Sequence, residues 1–542
     1  MTRHLKPNIL QNVTAFQLGG MPGTRPEEHL YTIKVMLQFL SAMGLPAWLG
    51  AFDMSKFFDV ENHSDATVAL IESGVKGALL RLYQAITNKN RMQVVTALGN
   101  TDWFTRGALV PQGSSYGALL SALNLDTGLA ATFRHLLAAI SSVYGLPLLS
   151  YVFQDDIIKV STSREECQLS QNAIAETITS KQLRLNDNKC KIIICGNNAA
   201  ARRARVEVTE NPITMNGAAV KYTRTEKYLG DWLSQTSAAE SVWETVIKRE
   251  AEVRGPVQEV VRLTRDVRAG FVGPARLGIT LWNSVILQKL LHNSCSWVAI
   301  TSKTTKKLER IQLQFLKKMY SLPPSAPNAG TWWISGILPI SWRVLANKFK
   351  FALHLTKRGE NTVAGKVWEL ERGGWLPAGL YGELLEANLR HGVPMPANYF
   401  DKAEYARMVD RTIFRAAYTA VSEAVRGSSK LQLLRHNDIY GAEINDWHNL
   451  VDIQLVARAK LSCLPEFGAD WGRNEHCHCG ARDTFRHAAL GEGAGDQCAR
   501  YRAARELYPT RLTEDSTLLQ FVREVGRIRH ALPGDNAMAQ GG

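Results

Sequence analysis

Two adjacent carboxylates, Asp155 and Asp156, lie in an otherwise apolar stretch of the chain, LPLLSYVFQDDIIKVSTS (residues 146–163). Burying one unpaired carboxylate is costly, and two side by side also repel each other. A divalent cation relieves both penalties, because Mg²⁺ prefers hard oxygen ligands and typically binds one or two protein carboxylates together with substrate phosphates. Two such ions, about 3.5–4 Å apart, can activate an attacking hydroxyl and stabilise the leaving oxygen of a phosphoryl displacement. An Asp-Asp pair alone is also common in exposed turns, so this interpretation depends on a further ligand.

A third carboxylate, Asp53, follows the apolar run AWLGAF (residues 47–52). The run has the length and composition of a short buried strand. Apolar runs of strand length also flank Asp155 and Asp156, which predicts a hairpin with the pair near its turn. Because neighbouring strand ends bring their side chains together, the three carboxylates are expected to form one metal site.

Helical and strand patterns alternate up to about residue 235. Residues 64–88 carry apolar residues at three- and four-residue intervals, which predicts a helix. The segment VPQGSSYGALLSALNLD is a Gly/Ser-rich loop that opens another helix, and Ser163 with Glu166 forms a capping-box pattern at the start of a third. That third helix is expected to end near Leu183, before a turn and the strand CKIIICG. This order predicts a compact α+β unit.

The chain after residue 235 is predicted to be mostly helical. In the segment KKLERIQLQFLKKMYSLPPSAP, four apolar residues share one helix face before two prolines stop the helix. These four residues are Leu308, Ile311, Phe315 and Met319. Residues 303–320 hold six Lys/Arg against one Glu, a stripe that suits either a solvated helix face or contact with nucleic acid.

The bulk composition favours a polyanionic partner. The 542 residues include 64 Lys+Arg against 50 Asp+Glu, a formal charge of +14, which suits nucleic acid first and an acidic membrane surface second. No run approaches 18 apolar residues, so no membrane span is expected. The eight Cys form no regular framework, which favours a reducing compartment. A chain of this length is expected to form roughly two to four domains.

Six segments within residues 10–235 resemble, in order, the motifs of reverse transcriptases of non-LTR (LINE-like) retrotransposons. They are FQLGGMPGTRPEEHLYTIK, FDMSKFFD, VPQGSSYGALLSALNLD, FQDD, LRLNDNKCKI and KYLG. The resemblance implies a right-hand polymerase and the activity of an RNA-directed DNA polymerase, a nucleotidyltransferase. The chain begins just before the first of these segments, so it is expected to be N-terminally truncated, without the upstream fingers segments or an endonuclease.

The resemblance assigns the chemistry to a small set of residues. Asp53 and Asp155 match the metal-binding aspartates, with Asp156 the adjacent carboxylate, and together they are expected to hold two Mg²⁺ ions. Lys189 matches the lysine that protonates the leaving pyrophosphate, although a lysine in a polar turn is commonly just exposed. Gln154 stands at the variable position, where Ala or Met is commoner, and is expected to affect fidelity rather than metal binding.

Substrate and primer contacts are implied in the same way. Phe58 matches the aromatic residue that excludes a 2′-OH from the incoming sugar, and it also suits a plain core aromatic. Arg25 is the cation expected near the triphosphate. The loop along nucleotide and template is matched by Gln112 and Gly113, and the turn that supports the primer end by Tyr228, Leu229 and Gly230.

Near its end the chain carries a group of metal-binding residue types. Cys477, Cys479, His487 and Cys498 offer three thiolates and an imidazole, which can enclose a structural Zn²⁺ with no open position. The segment resembles the C-x-C-G, T-x-x-H and C-x-x-Y pattern that follows many LINE-like polymerase domains. The insert GEGAG lengthens the gap before Cys498 and makes this residue the weakest of the four matches. Unrelated thiols in a reducing compartment are the alternative.

The predicted fold class is therefore α+β, a right-hand polymerase palm with partial fingers, then a mostly helical thumb and C-terminal region with a small zinc-binding turn. The sequence shows no internal repeat. The expected units are fingers and palm (1–235), thumb (236–330), a helical extension (331–465), the zinc-binding segment (466–510), and a helix with a disordered tail (511–542).

The leading hypothesis for function is an RNA-directed DNA polymerase that extends a DNA primer on template RNA with dNTPs. The resemblance places this work in the nucleus, where nicked chromosomal DNA is the primer, after a cytoplasmic ribonucleoprotein stage. The alternative is a truncated, catalytically inactive remnant that only binds RNA or DNA. A host-adopted maturase or telomerase-like polymerase is a third hypothesis, which the terminal zinc pattern disfavours. The sequence indicates no membrane partner and no particular oligomeric state.

Overall fold

The computed structural model describes most of the first 428 residues. It describes residues 2–88, 91–105, 116–137, 148–266, 274–376 and 379–428, with residues 431 and 520. Within these ranges helices and strands alternate up to Ser234, and the elements that follow are helical, as the apolar patterns predict. None of the helices in these ranges is long and apolar enough to cross a membrane.

A five-stranded sheet lies at the centre of the first half. The described strands are β1 (Ala47–Phe52), β2 (Arg91–Met92), β3 (Val95–Thr96), β4 (Gly99–Asn100), β5 (Phe104–Thr105), β6 (Ser150–Phe153), β7 (Asp156–Ser161), β8 (Lys191–Cys195), β9 (Thr214–Met215), β10 (Ala218–Ala219), β11 (Lys221–Tyr222), β12 (Thr225–Tyr228) and β13 (Asp231–Ser234). The sheet has the order β11-β8-β1-β7-β6. In it β1 runs antiparallel to both neighbours, and β6 and β7 form the predicted hairpin. The short ribbons pair β2 with β5, β3 with β4, β9 with β10 and β12 with β13.

Both faces of this sheet are buried, because successive side chains of its strands point into opposite cores. Trp48 and Phe52 of β1 lie in one core, whereas Ala47 and Leu49 of the same strand lie in the other. A strand covered on both faces reads as a continuous apolar run, which is the pattern that predicted β1.

Helices cover the sheet on both sides. The described helices of the first half are α1 (Thr2–Asn12), α2 (Pro26–Ala42), α3 (Phe57–Val60), α4 (His63–Glu72), α5 (Gly77–Asn88), α6 (Gly117–His135), α7 (Arg164–Ser180) and α8 (Ala199–Glu210). Helix α2 shares the core of Leu49, and α6 and α7 share the core of Trp48. The Ser163 cap at the start of α7 is confirmed, since its hydroxyl accepts a hydrogen bond from the Glu166 N–H at 3.1 Å. The second half of the predicted capping box is shifted by one residue, because the Glu166 carboxylate accepts from the Thr162 N–H at 2.7 Å.

The helix predicted for residues 64–88 is wrong in one respect, because the structure divides it into α4 and α5. Helix α4 begins after Asn62, whose side chain accepts a hydrogen bond from the Ser64 N–H at 2.9 Å. It ends before Gly74, which has φ +87°. A left-handed glycine terminates a helix at little steric cost, and the apolar period on both sides does not reveal the break.

The second half is a stack of helices. They are α9 (Ala238–Asp266), α10 (Pro274–Leu281), α11 (Leu287–Leu290), α12 (Ser302–Met319), α13 (Asn328–Ser335), α14 (Ile340–Arg358), α15 (Val363–Arg372), α16 (Leu380–His391) and α17 (Lys402–Arg426). A π-helical turn (Trp282–Ile286) joins α10 to α11, and a 3₁₀ turn (Ser294–Ser296) follows. The amphipathic prediction for α12 is confirmed, since its four apolar positions are buried.

Helices α14 and α15 pack directly against α2 and the sheet. One core contains Leu30 of α2 and Leu49 of β1 together with Phe349 of α14 and Trp368 of α15. Residues on both sides of the predicted domain boundary at residue 330 thus share one core, and α2 packs between the sheet and the later helices.

Candidate active site

The structure brings the three predicted carboxylates together at one end of the sheet. Phe52 of β1 lies opposite Ile157 of β7, so the next pair along this antiparallel register is Asp53 and Asp156. Asp155 lies in the two-residue turn of the β6–β7 hairpin, next to Asp156. The end of a central strand and the turn of the neighbouring hairpin therefore present all three carboxylates to one place.

Mutual repulsion and burial raise the pKa values of the adjacent pair. Burial raises the pKa of Asp155, and the charge of Asp53 adds to the effect. The pKa of Asp156 is raised to about 6 by burial first and then by the charges of Asp155 and Asp53, with Lys189 opposing the shift. Because the charges of Asp53 and Lys189 act on both Asp155 and Asp156, these side chains share one electrostatic environment.

Lys189 is held beside Asp53 by the loop that precedes β8. Its ammonium Nζ lies 3.3 Å from Asp53 Oδ1, and the two side chains are 63% and 31% exposed. The backbone fixes this arrangement, because the Asn186 N–H donates to the Asp53 carbonyl at 2.8 Å and the Ser55 N–H donates to the Arg184 carbonyl at 2.8 Å. The predicted catalytic lysine and the first aspartate are thus neighbours in space.

The donor chemistry of the site fits a hard divalent cation. Among the described residues, no three His, Cys, Asp or Glu side chains are already gathered as a metal would hold them. However, Asp53 Oδ1 is buried and accepts no hydrogen bond. The ammonium of the largely exposed Lys189, 3.3 Å from this oxygen, offsets only part of the charge of three neighbouring carboxylates, and a divalent cation would offset the rest. Asp53, Asp155 and Asp156 supply oxygen donors alone, as Mg²⁺ prefers.

Two residues that the sequence reasoning did not assign support the carboxylate turn. The side-chain oxygen of Gln17 accepts hydrogen bonds from the Gly19 N–H at 2.8 Å and the Gln154 N–H at 3.2 Å. A Cβ on Gly19 would lie 2.1 Å from the Gln154 nitrogen, so only glycine allows this approach. Gln154 itself has φ +57°. Gln17 and Gly19 both lie in the sequence QLGG of the first motif. This sequence supported the family resemblance but did not indicate what either residue does.

Phe58 lies on the segment that follows Asp53 in the chain and packs against the core that contains Trp48. Lys56 adopts a left-handed backbone and starts helix α3. Phe57 then points into the core, and the half-buried ring of Phe58 meets it edge to face at 5.1 Å. This placement suits both expectations for Phe58, a core contact and a surface for an incoming sugar.

The predicted primer-supporting turn also lies near the carboxylates. Tyr228 is buried, and its hydroxyl lies 3.2 Å from Nδ1 of His29. Burial raises the pKa of Tyr228 well above its ordinary value, and the charge of Asp156 adds to this. Burial lowers the pKa of His29 to about 4, so the imidazole is neutral at physiological pH. Leu229 and Gly230 form the turn beyond Tyr228.

Arg25 is not brought to the carboxylates. It precedes α2 and lines a cavity of about 370 Å³ together with Cys295, Lys350 and Lys402 from the second half of the chain. Its charge lowers the pKa of the Cys295 thiol, which burial raises. In the described part of the chain, no hydrogen bond or ion pair joins Arg25 to the aspartates. Gln112, Gly113 and the four predicted zinc ligands lie outside the described residues.

Comparison with solved structures finds partial similarity to yeast telomerases. Apo telomerase from Candida tropicalis matches with 10% identity over 59% of this chain and 49% of that chain, at a TM-score of 0.34. A form of it truncated at the C-terminal domain matches with 12% identity over 43% of each chain, at 0.31. Telomerase from Candida albicans in complex with a fragment of telomeric RNA matches with 11% identity over 64% and 55%, at 0.32. The chain thus spans about half the length of these structures.

Comparison of the sequence with family models finds a match in the first half of the chain. Residues 1–233 match the family of reverse transcriptases, described as RNA-dependent DNA polymerases. No curated protein matches the chain. The matched range includes the sheet, the three carboxylates and the primer-supporting turn. Over the range that holds the sheet and the three carboxylates, this chain therefore matches a reverse transcriptase domain.

Proposed function

We propose that the chain extends a DNA primer on an RNA template by nucleotidyl transfer at Asp53, Asp155 and Asp156. The observation that carries this proposal is the convergence of these side chains at one end of the sheet, inside a domain that matches the reverse transcriptases. The basic balance of the chain, +14 overall, suits the polyanionic template and primer.

The three carboxylates would hold the metal ions. Two Mg²⁺ ions bound there would activate the primer hydroxyl and stabilise the leaving oxygen. Asp156, with a pKa of about 6, is deprotonated at neutral pH and available as a ligand. Lys189, beside Asp53, is in position to give a proton to the leaving pyrophosphate. The ring of Phe58 would limit the space for the sugar, and the turn after Tyr228 would support the primer end.

A primer-extension assay tests this proposal. Incorporation on a poly(rA)·oligo(dT) substrate with Mg²⁺ is compared between the wild-type chain and Asp155→Asn, which keeps the side-chain size and removes a metal ligand. Activity is expected to fall at least about 100-fold. Asp187→Asn, at an exposed carboxylate on a nearby loop, is the matched control and should retain activity. Equal activity in Asp155→Asn and wild type would contradict the proposal.

The second candidate function is a catalytically inactive nucleic-acid-binding chain. The observation that favours it is that Arg25, the cation expected near the triphosphate, lines a cavity with residues of the later helices. This candidate predicts no incorporation by the wild-type chain, with salt-sensitive RNA binding retained.

We further propose that the chain belongs to a LINE-like element and copies the RNA of that element with nicked chromosomal DNA as the primer. This copying would take place in the nucleus, after a cytoplasmic ribonucleoprotein stage. The support is the order and spacing of the six sequence motifs. Sequencing of the RNA that copurifies with the chain from its native cells would identify the template. Recovery of unrelated cellular RNA alone would contradict this assignment.

The zinc hypothesis also remains a proposal, based on the types and spacing of Cys477, Cys479, His487 and Cys498. Zinc content is expected to be about one ion per chain and to fall on Cys477→Ser. An unchanged ratio would remove the site.

A further inference from the structure

The turn that supports the primer end has an unfavourable backbone conformation. Tyr228 pairs with Asp231 across the β12–β13 hairpin, so Leu229 and Gly230 form a two-residue turn. Leu229 has φ +47° and Gly230 has φ +87°. A left-handed conformation is unfavourable for a residue with a Cβ, so Leu229 needs external support to hold it.

The support comes from the helical half of the chain. The Asn293 side-chain amide donates to the Leu229 carbonyl at 2.8 Å. The Arg249 guanidinium donates to the Gly230 carbonyl at 2.9 Å. The same guanidinium donates to the His292 carbonyl, next to Asn293. Both carbonyls of the turn are therefore bound by side chains that lie outside the hairpin.

Arg249 is in turn fixed by a buried carboxylate. Its Nη2 lies 2.7 Å from Asp231 Oδ1, and Asp231 is the first residue after the turn. The other carboxylate oxygen accepts from Lys34 Nζ at 2.6 Å and from Trp297 Nε1 at 3.1 Å. Lys34 and Asp231 are fully buried. Burial lowers the pKa values of Lys34 and Arg249, and the charge of Asp231 opposes both shifts.

A buried cluster of this kind is a poor source of stability, because desolvation of the ions offsets much of their attraction. Its geometric effect is specific. Lys34 belongs to α2, Asp231 to β13 and Arg249 to α9, so the cluster joins three elements at the base of one turn. A planar guanidinium that binds a carbonyl and a carboxylate together fixes their relative orientation.

We propose that the cluster of Lys34, Asp231 and Arg249 sets the conformation of the Leu229–Gly230 turn, with Arg249 as the positioning residue for the primer end. This inference rests on the proposed polymerase function and deepens it. A mutation that loosens the turn will impair the use of the primer end, while the carboxylates and the remaining RNA-binding surface stay intact.

Three variants of the full chain test the inference. Arg249→Lys keeps the positive charge beside Asp231 but cannot bind the turn carbonyl and the carboxylate in the geometry of a planar fork. Asn293→Gly removes the amide donor together with the rest of the side chain, and glycine tolerates the φ of +56° at this position. Arg254→Lys is the matched control, since it makes the same exchange at an exposed position of the same helix.

Primer extension is measured with varied primer at saturating template and dNTP. Binding of a recessed primer–template duplex and of single-stranded RNA is measured by fluorescence anisotropy. For Arg249→Lys, the primer KM and the Kd for the recessed duplex should rise about tenfold, as expected for a lost charge-assisted hydrogen bond. Asn293→Gly should show a rise of about threefold to fivefold. The kcat, the affinity for single-stranded RNA and the control should be unchanged.

The outcomes separate this inference from the proposed function. A wild-type chain that extends no primer contradicts the proposed function. In that case the inference is decided by the Kd for the recessed duplex, and an equal Kd in Arg249→Lys and wild type overturns it. Normal wild-type extension with an unchanged primer KM in Arg249→Lys overturns the inference alone. If Arg249→Lys and Asn293→Gly both lower Tm and weaken single-stranded RNA binding as much as duplex binding, the cluster is structural only, and the inference is also wrong.

Discussion

Two tight hairpin turns of this molecule have related backbones and opposite charge balance. In the turn Gln154–Asp155 one residue, Gln154, has a left-handed backbone, and in the turn Leu229–Gly230 both residues do. Each turn has its backbone bound by a side chain from outside the hairpin. At the first turn, Asp155 and Asp156 face Asp53, and the exposed Lys189 opposes their charges. Carboxylates therefore outnumber the neighbouring cation, and the pKa of Asp156 is raised to about 6.

At the second turn the balance is reversed. Asp231 is fully buried between two cations, Lys34 and Arg249, and both of its oxygens are bound. The comparison indicates how a binding site differs from a structural cluster on the same fold. Charges that the chain satisfies internally fix a conformation, whereas charges that it leaves unsatisfied at the end of a sheet are available to an external cation.

The largest effect is expected when the internally satisfied carboxylate is neutralised. Asp231→Asn leaves Lys34 and Arg249 buried without their counterion, and the free energy of unfolding should fall by about 3–5 kcal/mol. Urea unfolding measures this change. The control is Glu226→Gln, whose partner Lys191 lies at 2.7 Å but is partly exposed; its loss should be below about 1 kcal/mol. Equal losses in the two variants would contradict the contrast drawn between the turns.

A smaller loss is expected when the first turn is displaced. Gly19→Ala places a Cβ within 2.1 Å of the Gln154 nitrogen, so backbone must move, at a cost of about 1–3 kcal/mol. Primer extension should fall as well, because the displaced turn carries Asp155. Gly427→Ala provides the control, since Gly427 has a right-handed backbone (φ −73°, ψ −14°) and a Cβ there would lie no closer than 3.3 Å to another atom, the Glu423 carbonyl oxygen. Full activity and unchanged stability in Gly19→Ala would show that the contact between Gly19 and the Gln154 backbone does not require glycine.

A change of opposite sign is expected at the unsatisfied carboxylates. In metal-free protein at pH 7, Asp156→Asn should raise the free energy of unfolding by about 1–2 kcal/mol, because it removes a carboxylate whose ionised form is unfavourable in the folded state. The same variant should lose primer extension. A destabilised Asp156→Asn would contradict the electrostatic account of the site.

The gain from Asp156→Asn depends on pH in a defined direction. The folded chain holds the proton of Asp156 up to a pKa of about 6, whereas the unfolded chain releases it near about 3.9. The protonated group therefore contributes stability below about pH 4 that is lost as the pH rises through about 6. The free energy of unfolding is measured with urea, in the presence of a chelator, at pH 4, 5.5 and 7 (roughly spanning both pKa values). The difference in this free energy between Asp156→Asn and wild type should grow with pH. A free-energy difference that does not change with pH would show that the raised pKa of Asp156 is not its cause.

Local patterns in the sequence were sufficient to predict the parts of the site that depend on short-range order. The apolar run before Asp53 predicted β1, and the apolar runs around Asp155 and Asp156 predicted the β6–β7 hairpin. An alternation of apolar and turn residues is a direct consequence of strand geometry. For the same reason the buried face of α12 was predicted correctly.

Features that depend on contacts between distant residues were not predictable in this way. Lys34, Asp231 and Arg249 are separated by up to about 200 positions, and each alone resembles an ordinary surface charge. Arg25 was expected at the triphosphate but lines a cavity with later helices, because α2 faces those helices as well as the sheet. Neither the ion pairs of Asp231 nor the position of Arg25 beside the later helices produces a periodic pattern in the sequence.

The central claim is that Asp53, Asp155 and Asp156 together bind a divalent cation, and calorimetric titration of the full chain with Mg²⁺ at pH 7.5 (about 1.5 units above the Asp156 pKa) tests it most directly. Asp53→Asn is compared with wild type and with Asp187→Asn, the exposed carboxylate used above as a control. The account predicts that Asp53→Asn weakens Mg²⁺ binding at least about tenfold, while Asp187→Asn binds as wild type does. Mg²⁺ binding by Asp53→Asn that equals that of the wild-type chain would contradict it.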